Sequence, residues 1–368
     1  MILRHISITD FKNVAAASLD FSDKLNCMLG DNGMGKSNLL DAIYFLSYTK
    51  SFTGAPDSLL VRRGAPWAHV HGDYLRNGAE DDVNAVLAPG HKSFKRGGKE
   101  YRRLSAHIGL FPAVLVSPSD MNLVTGTSEV RRRFVDMVIS QADSQYLEHL
   151  IRYNRALEQR NRMLKDDTTD YLLFDTIEAG MDVSSRYIIA ARQKHIGRIA
   201  ELHSRYYAVI AGEGEEVAMR YDGPLAGQPD ASIADALNRN RERDRVFGYT
   251  ALGIHRDDLE VSVNGLPLRR TASQGQAKTF TIALRMAQYR FLAESTGLKP
   301  LLLLDDIFDK LDATRVSRII ALVASEDFGQ IFITDTNRRH LDEIPGHLAA
   351  DAPCRMWRVK DGTFELLP

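Results

Sequence analysis

The sequence has little of several features that mark other classes of protein. Its 368 residues include only two cysteines, Cys27 and Cys354, which are too few for a disulfide framework and lack the spacing of metal ligands. No apolar run reaches the length of a membrane span, and the first residues lack the apolar stretch of a signal peptide. The composition, 44% hydrophobic and 26% charged, is that of a globular protein. The expected location is therefore cytoplasmic, with no membrane partner.

The sequence also lacks an excess of positive charge, because 47 Lys and Arg stand against 48 Asp and Glu. Nucleic-acid binding would therefore depend on local basic segments. The strongest of these segments is residues 89–105, a predicted hairpin with one acid, Glu100. Arg131–Arg133 and residues 239–245 are weaker segments, and a solvated face is the alternative for every one of them. The candidates for contacts with DNA phosphates are Lys92, Lys95, Arg96, Lys99, Arg102 and Arg103.

The order of apolar residues divides the chain into three zones. Short strand-like runs separated by Gly, Pro, Asn and Asp extend from Ile2 to about Pro118 and predict a β-rich part. Helical spacing follows to about Arg245 and includes a long helix at 171–210. Strands and helices alternate from Phe247 onward. The expected class is α/β, with two domains or one domain that carries a helical insertion.

A phosphate-binding motif lies near the N-terminus. Residues 30–37 match the pattern GxxxxGK[ST], between a predicted strand at Leu25–Leu29 and a predicted helix from Ser37. Glycines let backbone N–H groups turn around phosphates, and the helix N-terminus adds a positive dipole end. Lys36 is expected to reach the β- and γ-phosphates, and the Ser37 hydroxyl to bind Mg²⁺. The candidate ATP contacts here are Gly30, Asp31, Asn32, Gly33, Met34, Gly35, Lys36, Ser37 and Asn38.

A second motif lies far away in the sequence. Leu301–Leu304 is a continuous apolar run, typical of a strand buried on both faces, and it ends in two acids. Asp305 is expected to hold Mg²⁺ together with Ser37. Asp306 is expected to polarise the attacking water, so Asp306 and Lys36 are the candidate catalytic residues.

A third motif indicates the subclass of nucleotide-binding protein. Residues 273–276 open a predicted helix, and Ser273 could be no more than its N-cap. Their order relative to the other motifs resembles the signature of ABC ATPases, which completes the nucleotide site of the opposite protomer. Residues 309–312 resemble the D-loop of that superfamily, and Thr334 takes the switch position where transporters carry histidine. The further candidate ATP contacts are Ser273, Gln274, Gly275, Gln276, Asp312 and Thr334.

The combination of motifs resembles one family over nearly the whole chain. The RecF family of bacterial recombination mediators is similar in these segments: residues 37–43, 50–52, 117–120, 131–136, 255–259, 273–278 and 305–312. The resemblance implies a P-loop NTPase of the ABC/SMC-head type, with a β-rich N-terminal part and a helical insertion, or lever-arm, domain. Residues 1–120 and 247–368 would form a discontinuous head, and residues 121–246 the arm. Thr53 and Ile254 depart from the family pattern. His255–Asp258 is expected at a contact between lobes or protomers.

The resemblance also implies a function. The chain would bind ATP, Mg²⁺ and double-stranded DNA, including single-strand/double-strand junctions, as an ATP-clamped homodimer. It would act with RecO and RecR to load RecA at gaps, as a weak DNA-stimulated ATPase that serves as a switch. Two alternatives are an ATPase subunit of another ABC-type system and a nucleotide-gated adaptor that does not hydrolyse ATP. Thr334 counts against a transporter subunit, and the acid pair at 305–306 counts against the adaptor.

Overall fold

The computed structural model describes residues 1–212, 214–225, 232–309, 311–348 and 352–368. Lys310 of the D-loop-like segment and residues 226–231 of the predicted arm lie outside the described residues. The chain forms two compact units. The first unit comprises Met1–Asp120, Val209–Ala211 and Gln274–Pro368. The second unit comprises Met121–Ala208 and Gly212–Ser273.

The strands and helices are numbered in chain order within the described residues. The strands are β1 (Ile2–Phe11), β2 (Val14–Asp20), β3 (Leu25–Leu29), β4 (Ala68–Arg76), β5 (Ala79–Ala88), β6 (His91–Arg96), β7 (Lys99–Glu100), β8 (Ala113–Val116), β9 (Val217–Asp222), β10 (Asp258–Val263), β11 (Leu266–Pro267), β12 (Leu301–Asp305), β13 (Ile331–Asp335), β14 (Cys354–Lys360) and β15 (Thr363–Leu366). The helices are α1 (Lys36–Tyr48), α2 (Asn122–Thr125), α3 (Ser128–Ala142), α4 (Ser144–Lys165), α5 (Tyr171–Ala211), α6 (Ile233–Phe247), α7 (Leu268–Thr271), α8 (Gln274–Thr296), α9 (Ala313–Ala324) and α10 (Arg338–Glu343).

Two six-stranded sheets build the first unit. One sheet, in the order β2-β1-β4-β5-β6-β7, is antiparallel throughout. The other has the order β15-β14-β3-β13-β12-β8, and its strands from β14 to β8 are parallel. Every residue of β8, β12 and β13 is buried, which explains their continuous apolar sequence.

Buried polar side chains connect elements of the first unit that are distant in sequence. Gln330, just before β13, accepts a hydrogen bond from Leu3 N at 2.7 Å and donates to Leu3 O at 2.8 Å. Its amide also donates to Ser22 O at 2.8 Å. Arg285 on α8 forms a two-point ion pair with Asp120. These contacts fix β1 against β13 and α8 against the segment after β8, because buried polar groups require partners.

The second unit extends beyond the arm that the sequence indicated. Residues 247–273 belong to it, although the sequence placed them in the head. The physical reason is strand pairing: β10 is antiparallel to β9, with Asp258 opposite Asp222 and Val263 opposite Val217. A three-stranded sheet, β11-β10-β9, therefore joins the helices α2–α4 and α6–α7 in one unit with most of α5.

Buried ion pairs connect the helices of the second unit. Arg160 on α4 is fully buried, and its guanidinium donates to Glu178 at 2.9 Å and to Asp244 at 2.7 Å. Arg192 on α5 pairs with Asp136 at 2.8 Å and with Asp257 at 2.7 Å. Each of these two arginines thus joins acids from different segments of the unit. Because the groups are buried, a charge left without its partner would destabilise the folded state by several kcal/mol.

Most of the segment His255–Asp258 therefore belongs to the packed network of the second unit, whereas Arg256 is exposed. His255 Nδ1 contacts the Tyr153 hydroxyl at 2.7 Å, and burial lowers the pKa of His255 to about 4. Burial also raises the pKa of Asp257 to about 6, even though Arg192 opposes the shift. Asp258 pairs with Arg131 at 2.7 Å. His255, Asp257 and Asp258 thus take part in an internal network of the second unit, and a contact of this segment with another lobe or protomer stays a prediction.

Replacing Arg160 tests the buried network. We expect Arg160→Ala to lower the free energy of unfolding by about 3 kcal/mol, because Asp244 then stays buried without its cation. Arg152→Ala is the matched control on the same helix, since its pair with Glu148 is about two-thirds exposed; its effect is expected below about 0.5 kcal/mol. Urea unfolding followed by circular dichroism measures both variants. Equal effects would contradict the role given to Arg160.

Candidate nucleotide-binding site

The motif at residues 30–37 forms a tight loop between β3 and α1. Two of its glycines have backbone angles that other residues rarely adopt, with φ of 81° at Gly33 and 110° at Gly35. Helix α1 begins at Lys36; Asn38 N donates to Gly35 O at 3.1 Å, and the N–H groups of Lys36 and Ser37 precede the first carbonyl that the helix could offer them. These donors and the helix dipole favour an anion at this end of α1.

The C-terminal hairpin of β14 and β15 supports this loop. Gly362 N in the hairpin turn donates to Met34 O at 2.8 Å. A Cβ atom on Gly30 would lie 2.4 Å from Val359 O, so only glycine fits between the loop and β14. Asn13 also contacts the loop, since a Cβ atom on Gly35 would lie 2.9 Å from its Oδ1. The sequence motifs did not predict this support, because the hairpin and the loop are far apart in the sequence.

Lys36 is held against the loop. Its side chain is almost fully buried, and Nζ donates to Gly30 O at 2.8 Å and to Asp31 O at 3.1 Å. The ammonium group is therefore positioned by the carbonyls of the loop itself. A bound phosphate next to the N-terminus of α1 would lie within reach of this ammonium group.

One carboxylate oxygen brings together three of the predicted site residues. Asp305 Oδ1, at the end of β12, accepts hydrogen bonds from Ser37 Oγ and Thr334 Oγ1, each at 2.8 Å. Burial raises the pKa of Asp305, while the two hydroxyls and Lys36 oppose the shift. Two hydroxyl donors and the charge of Lys36 thus stabilise the ionised form of this carboxylate. A bound metal cation would stabilise that form further.

Asp306 lies directly after Asp305 in a rare backbone conformation, with φ of 46°. Its backbone N–H donates to Thr334 Oγ1 at 3.1 Å, so the same hydroxyl contacts the carboxylate of Asp305 and the backbone of Asp306. Burial raises the pKa of Asp306; Lys36 opposes this shift and Asp305 adds to it. Strained backbone next to a carboxylate of raised pKa is typical of functional sites.

The residues present fit a nucleotide with a magnesium ion. Mg²⁺ prefers oxygen ligands and is usually held by one or two protein groups together with phosphates. Ser37 Oγ and Asp305 Oδ1 supply two such oxygens side by side. Across the described ranges, no group of three His, Cys, Asp or Glu side chains could hold a metal alone. A metal here would therefore depend on ligands from a phosphate, which the loop at 30–37 is shaped to hold.

A neighbouring network escaped the sequence analysis. Asp41 on α1 is fully buried and accepts hydrogen bonds from Ser51 Oγ at 2.6 Å and Phe52 N at 2.9 Å. Lys12 forms an ion pair with Asp41 and lies over the ring of Phe52. The signal was available, because an acid within the apolar helix sequence 39–43 requires a partner. This network fixes the loop after α1 beside the site.

The remaining predicted residues lie at other helix starts. Residues Ser273–Gln276 form the exposed or half-exposed beginning of α8. Asp312 is the exposed N-cap of α9 and accepts a hydrogen bond from Arg315 N at 2.9 Å, which lowers its pKa. Asn38 donates to Asn13 at 2.6 Å. The contacts of Ser273–Gln276 and Asp312 with a nucleotide stay predictions.

Known proteins match both the sequence and the fold. Residues 1–96 match the model of an AAA ATPase domain. The chain is 46% identical to the DNA replication and repair protein RecF of Parabacteroides distasonis over 366 residues, which cover 99% of both chains. It is 45% identical to the RecF of Porphyromonas gingivalis strain W83, over 98% of this chain and 99% of the relative. The chain belongs to the RecF family.

Solved structures agree with this membership. A structure described as the recombination mediator protein RecF-ATPrS in the RecFOR pathway has a TM-score of 0.88 and 27% identity, covering 100% of this chain and 98% of that chain. The head domain of an Smc protein from Pyrococcus furiosus has a TM-score of 0.59 at 16% identity, covering 100% and 96%. The expected fold, an ABC-type ATPase head like that of SMC proteins, is confirmed. In the described part of the chain no helix is both long and apolar enough to span a bilayer.

The raised pKa of Asp306 predicts a pH-dependent stability. The unfolded state loses this proton at lower pH than the folded state, so ionisation lowers the free energy of unfolding as pH rises through the folded pKa. We expect Asp306→Asn to be more stable than the unmodified chain at pH 7, and the difference to vanish near pH 3. Asp23→Asn, at an exposed acid of the first unit, is the control. Thermal unfolding across this pH range measures the effect, and a gap that stays constant with pH would contradict it.

Proposed function

We propose that this chain is an ATP-dependent DNA-binding protein of recombinational repair that works as a nucleotide-gated switch. The observation that carries the proposal is the convergence of Ser37 and Thr334 on one oxygen of Asp305, beside Lys36 and Asp306. This arrangement suits Mg²⁺ and a triphosphate. The relatives named as DNA replication and repair proteins, and the RecF structures described with ATP and ATPrS, support the same function.

In this proposal the first unit binds ATP through the loop at 30–37. The N–H groups at the start of α1 and the ammonium group of Lys36 hold the phosphates, while Ser37 and Asp305 hold Mg²⁺. The magnesium ion, when bound, neutralises charge on the β- and γ-phosphates. The supports of the loop, Gly362 and Asn13, keep these groups in place before the nucleotide arrives.

Hydrolysis in this proposal depends on Asp306. The raised pKa of its carboxyl group makes it a better proton acceptor than an ordinary aspartate. Its backbone N–H donates to Thr334 Oγ1, so the backbone that carries this carboxyl group is held before the nucleotide binds. Aspartate is shorter than the glutamate of many ABC ATPases, and slow turnover is therefore expected, as befits a switch. Absence of any turnover would favour the adaptor that does not hydrolyse ATP.

A second copy of the chain would complete the site. Residues Ser273–Gln276 lie accessible at the start of α8, whose helix N-terminus suits the γ-phosphate of the opposite protomer. Arg285 and Asp120 fix the direction of α8 within the first unit. ATP would then favour the closed homodimer, because only the closed state offers the second set of contacts. Loss of the γ-phosphate would release it.

DNA binding is proposed at the hairpin of β6 and β7. Six cations lie in this hairpin and the segment just after it, and two of them are already paired, Lys92 with Asp57 at 2.9 Å and Arg96 with Asp81 at 2.7 Å. The other four are exposed and form no ion pair in the described part of the chain: Lys95, Lys99, Arg102 and Arg103. Four exposed cations near one turn favour contacts with DNA phosphates that do not depend on base sequence.

The proposed biological role is help in loading a recombinase at single-stranded gaps. Double-stranded DNA and its junctions with single strands would be the DNA partners. RecO and RecR would be the protein partners, and RecA the recombinase. The support is family membership together with the RecFOR pathway that the related structure is described in.

Substituting Ser273 separates nucleotide binding from dimer formation. We expect Ser273→Arg to bind ATP with unchanged affinity but to lose ATP-dependent dimers. The long arginine side chain would then fill the space that the proposed dimer needs next to the γ-phosphate of the opposite protomer. Lys36→Ala should instead lose ATP binding itself. Equilibrium binding and analytical ultracentrifugation with ATP and Mg²⁺ distinguish the two. Turnover per protomer in the unmodified chain should rise with protein concentration. Intact Ser273→Arg dimers, or turnover independent of concentration, would refute the shared site.

The hairpin cations predict the salt dependence of DNA binding. Replacing Lys95, Lys99, Arg102 and Arg103 together by alanine should weaken binding to double-stranded DNA. The slope of log affinity against log salt should fall by about 0.9 for each lost phosphate contact. Lys92→Ala is the matched control, because Asp57 already neutralises that side chain. Anisotropy titrations with ATP at several salt concentrations measure both. An unchanged slope in the fourfold variant would remove the hairpin from the DNA interface.

A further inference from the structure

The two cysteines of the chain lie next to each other in the sheet that carries the nucleotide site. Cys27 is on β3, and Cys354 is the first residue of β14. The two strands are parallel neighbours, with Cys354 opposite Leu25 and Met356 opposite Cys27. Side chains two residues apart project from the same face of a strand, so both thiols lie on one face of this sheet. Their sulfur atoms are within hydrogen-bonding contact of each other.

The two thiols differ in their access to solvent. Cys27 is fully buried, whereas Cys354 is exposed. The hydrogen bond with Cys27 lowers the pKa of the Cys354 thiol, although partial burial opposes this shift. The same bond, together with burial, raises the pKa of Cys27. Because the thiolate is the reactive form of cysteine, Cys354 is the thiol that meets an oxidant from solvent, and Cys27 lies directly behind it.

Both strands of the cysteine pair also hold the phosphate-binding loop at 30–37. β3 leads directly into this loop. β14 lies so close to its first residue that a Cβ atom on Gly30 would lie 2.4 Å from Val359 O. The turn after β14 adds the hydrogen bond from Gly362 N to Met34 O at 2.8 Å. A movement of β14 relative to β3 would therefore reach the groups that are proposed to bind ATP.

We propose that Cys27 and Cys354 form a reversible disulfide bond that weakens ATP binding under oxidising conditions. This inference rests on the proposed function, because its effect is exerted on the proposed ATP site. Diagonal neighbours in a sheet lie about 7–8 Å apart between Cα atoms, which is more than an unstrained disulfide spans. Closing the bond therefore draws the start of β14 towards Cys27 and shifts the strand that supports the loop. Strained or exposed disulfides are the ones that are easily reduced and serve in regulation.

The bond would form by thiol–disulfide exchange with a small-molecule disulfide such as oxidised glutathione. The Cys354 thiolate attacks one glutathione sulfur, a mixed disulfide forms, and the first glutathione leaves and takes up the proton that Cys354 lost. The sulfur of Cys27 then attacks the sulfur of Cys354, and the bond to the second glutathione breaks. This glutathione leaves with the proton of Cys27. Two cysteine thiols are thus oxidised, and one glutathione disulfide is reduced to two thiols.

Oxidation of the full chain with oxidised glutathione tests the proposal. We expect both free thiols to disappear and the intact chain to lose the mass of two hydrogen atoms, and dithiothreitol to reverse both changes. Affinity for ATP with Mg²⁺ should fall by about tenfold in the oxidised chain, the effect of about one lost hydrogen bond to a charged group, and should return on reduction. Thiol titration, mass spectrometry of the intact chain and equilibrium binding of ATP measure the three quantities.

Two variants separate bond formation from modification of the exposed thiol. Cys354→Ser lacks the thiol that starts the exchange, so its ATP affinity should be equal with and without oxidised glutathione. Cys27→Ala should take up one glutathione at Cys354 without closing the bond, and its ATP affinity should not change on oxidation.

Three results would overturn the proposal: an unmodified chain that keeps both thiols, one that only takes up glutathione, and an oxidised chain with unchanged ATP affinity. A reduced chain that fails to bind ATP would instead contradict the proposed function. The thiol titration and the mass would still decide whether the disulfide forms, so the two failures are distinguishable.

Discussion

The site depends on one buried carboxylate oxygen, Asp305 Oδ1. The strand order β3-β13-β12 explains why it can accept from residues that are far apart in sequence. These three strands are parallel, so their carboxyl ends meet at one edge of the sheet. Ser37 follows β3, Thr334 lies in β13 and Asp305 ends β12. A change in strand order would separate the three side chains, however well each motif were preserved.

The same edge of the sheet shows how much of the site can be predicted from the sequence. The strand Leu25–Leu29 and the acid pair at 305–306 were predicted as they occur, because phosphate and metal chemistry requires these residue types at these places. Thr334 was expected at the site only by resemblance, and its link to both acids emerged from the structure. The support from Gly362 and Val359 had no local signal, since it depends on contacts between β14 and β3.

Charged residues hide some of the strand pairing from an analysis of the sequence. β5 begins at Ala79, although residues 80–82 are acidic and hide the alternation of a strand in the sequence. The turn Asn77–Gly78 nevertheless pairs them with β4. The arm boundary failed for a related reason. β10 pairs with β9, which lies more than thirty residues earlier in the sequence. Asp257 and Asp258, around the start of β10, form ion pairs with the buried Arg192 and Arg131.

The buried hydrogen bonds of the site also constrain how a nucleotide enters it. Lys36 donates to Gly30 O and Asp31 O, and Ser37 donates to Asp305. A phosphate and a metal would compete for these same groups, so binding must exchange protein hydrogen bonds for ligand contacts. Thr334 can keep its bonds to both acids throughout, because it is not itself a proposed metal ligand. The position of Asp306 would then stay fixed while Lys36 and Ser37 change partners. The backbone of Asp306, the acid proposed to act in hydrolysis, is thus held independently of Lys36 and Ser37, the groups proposed to contact the nucleotide.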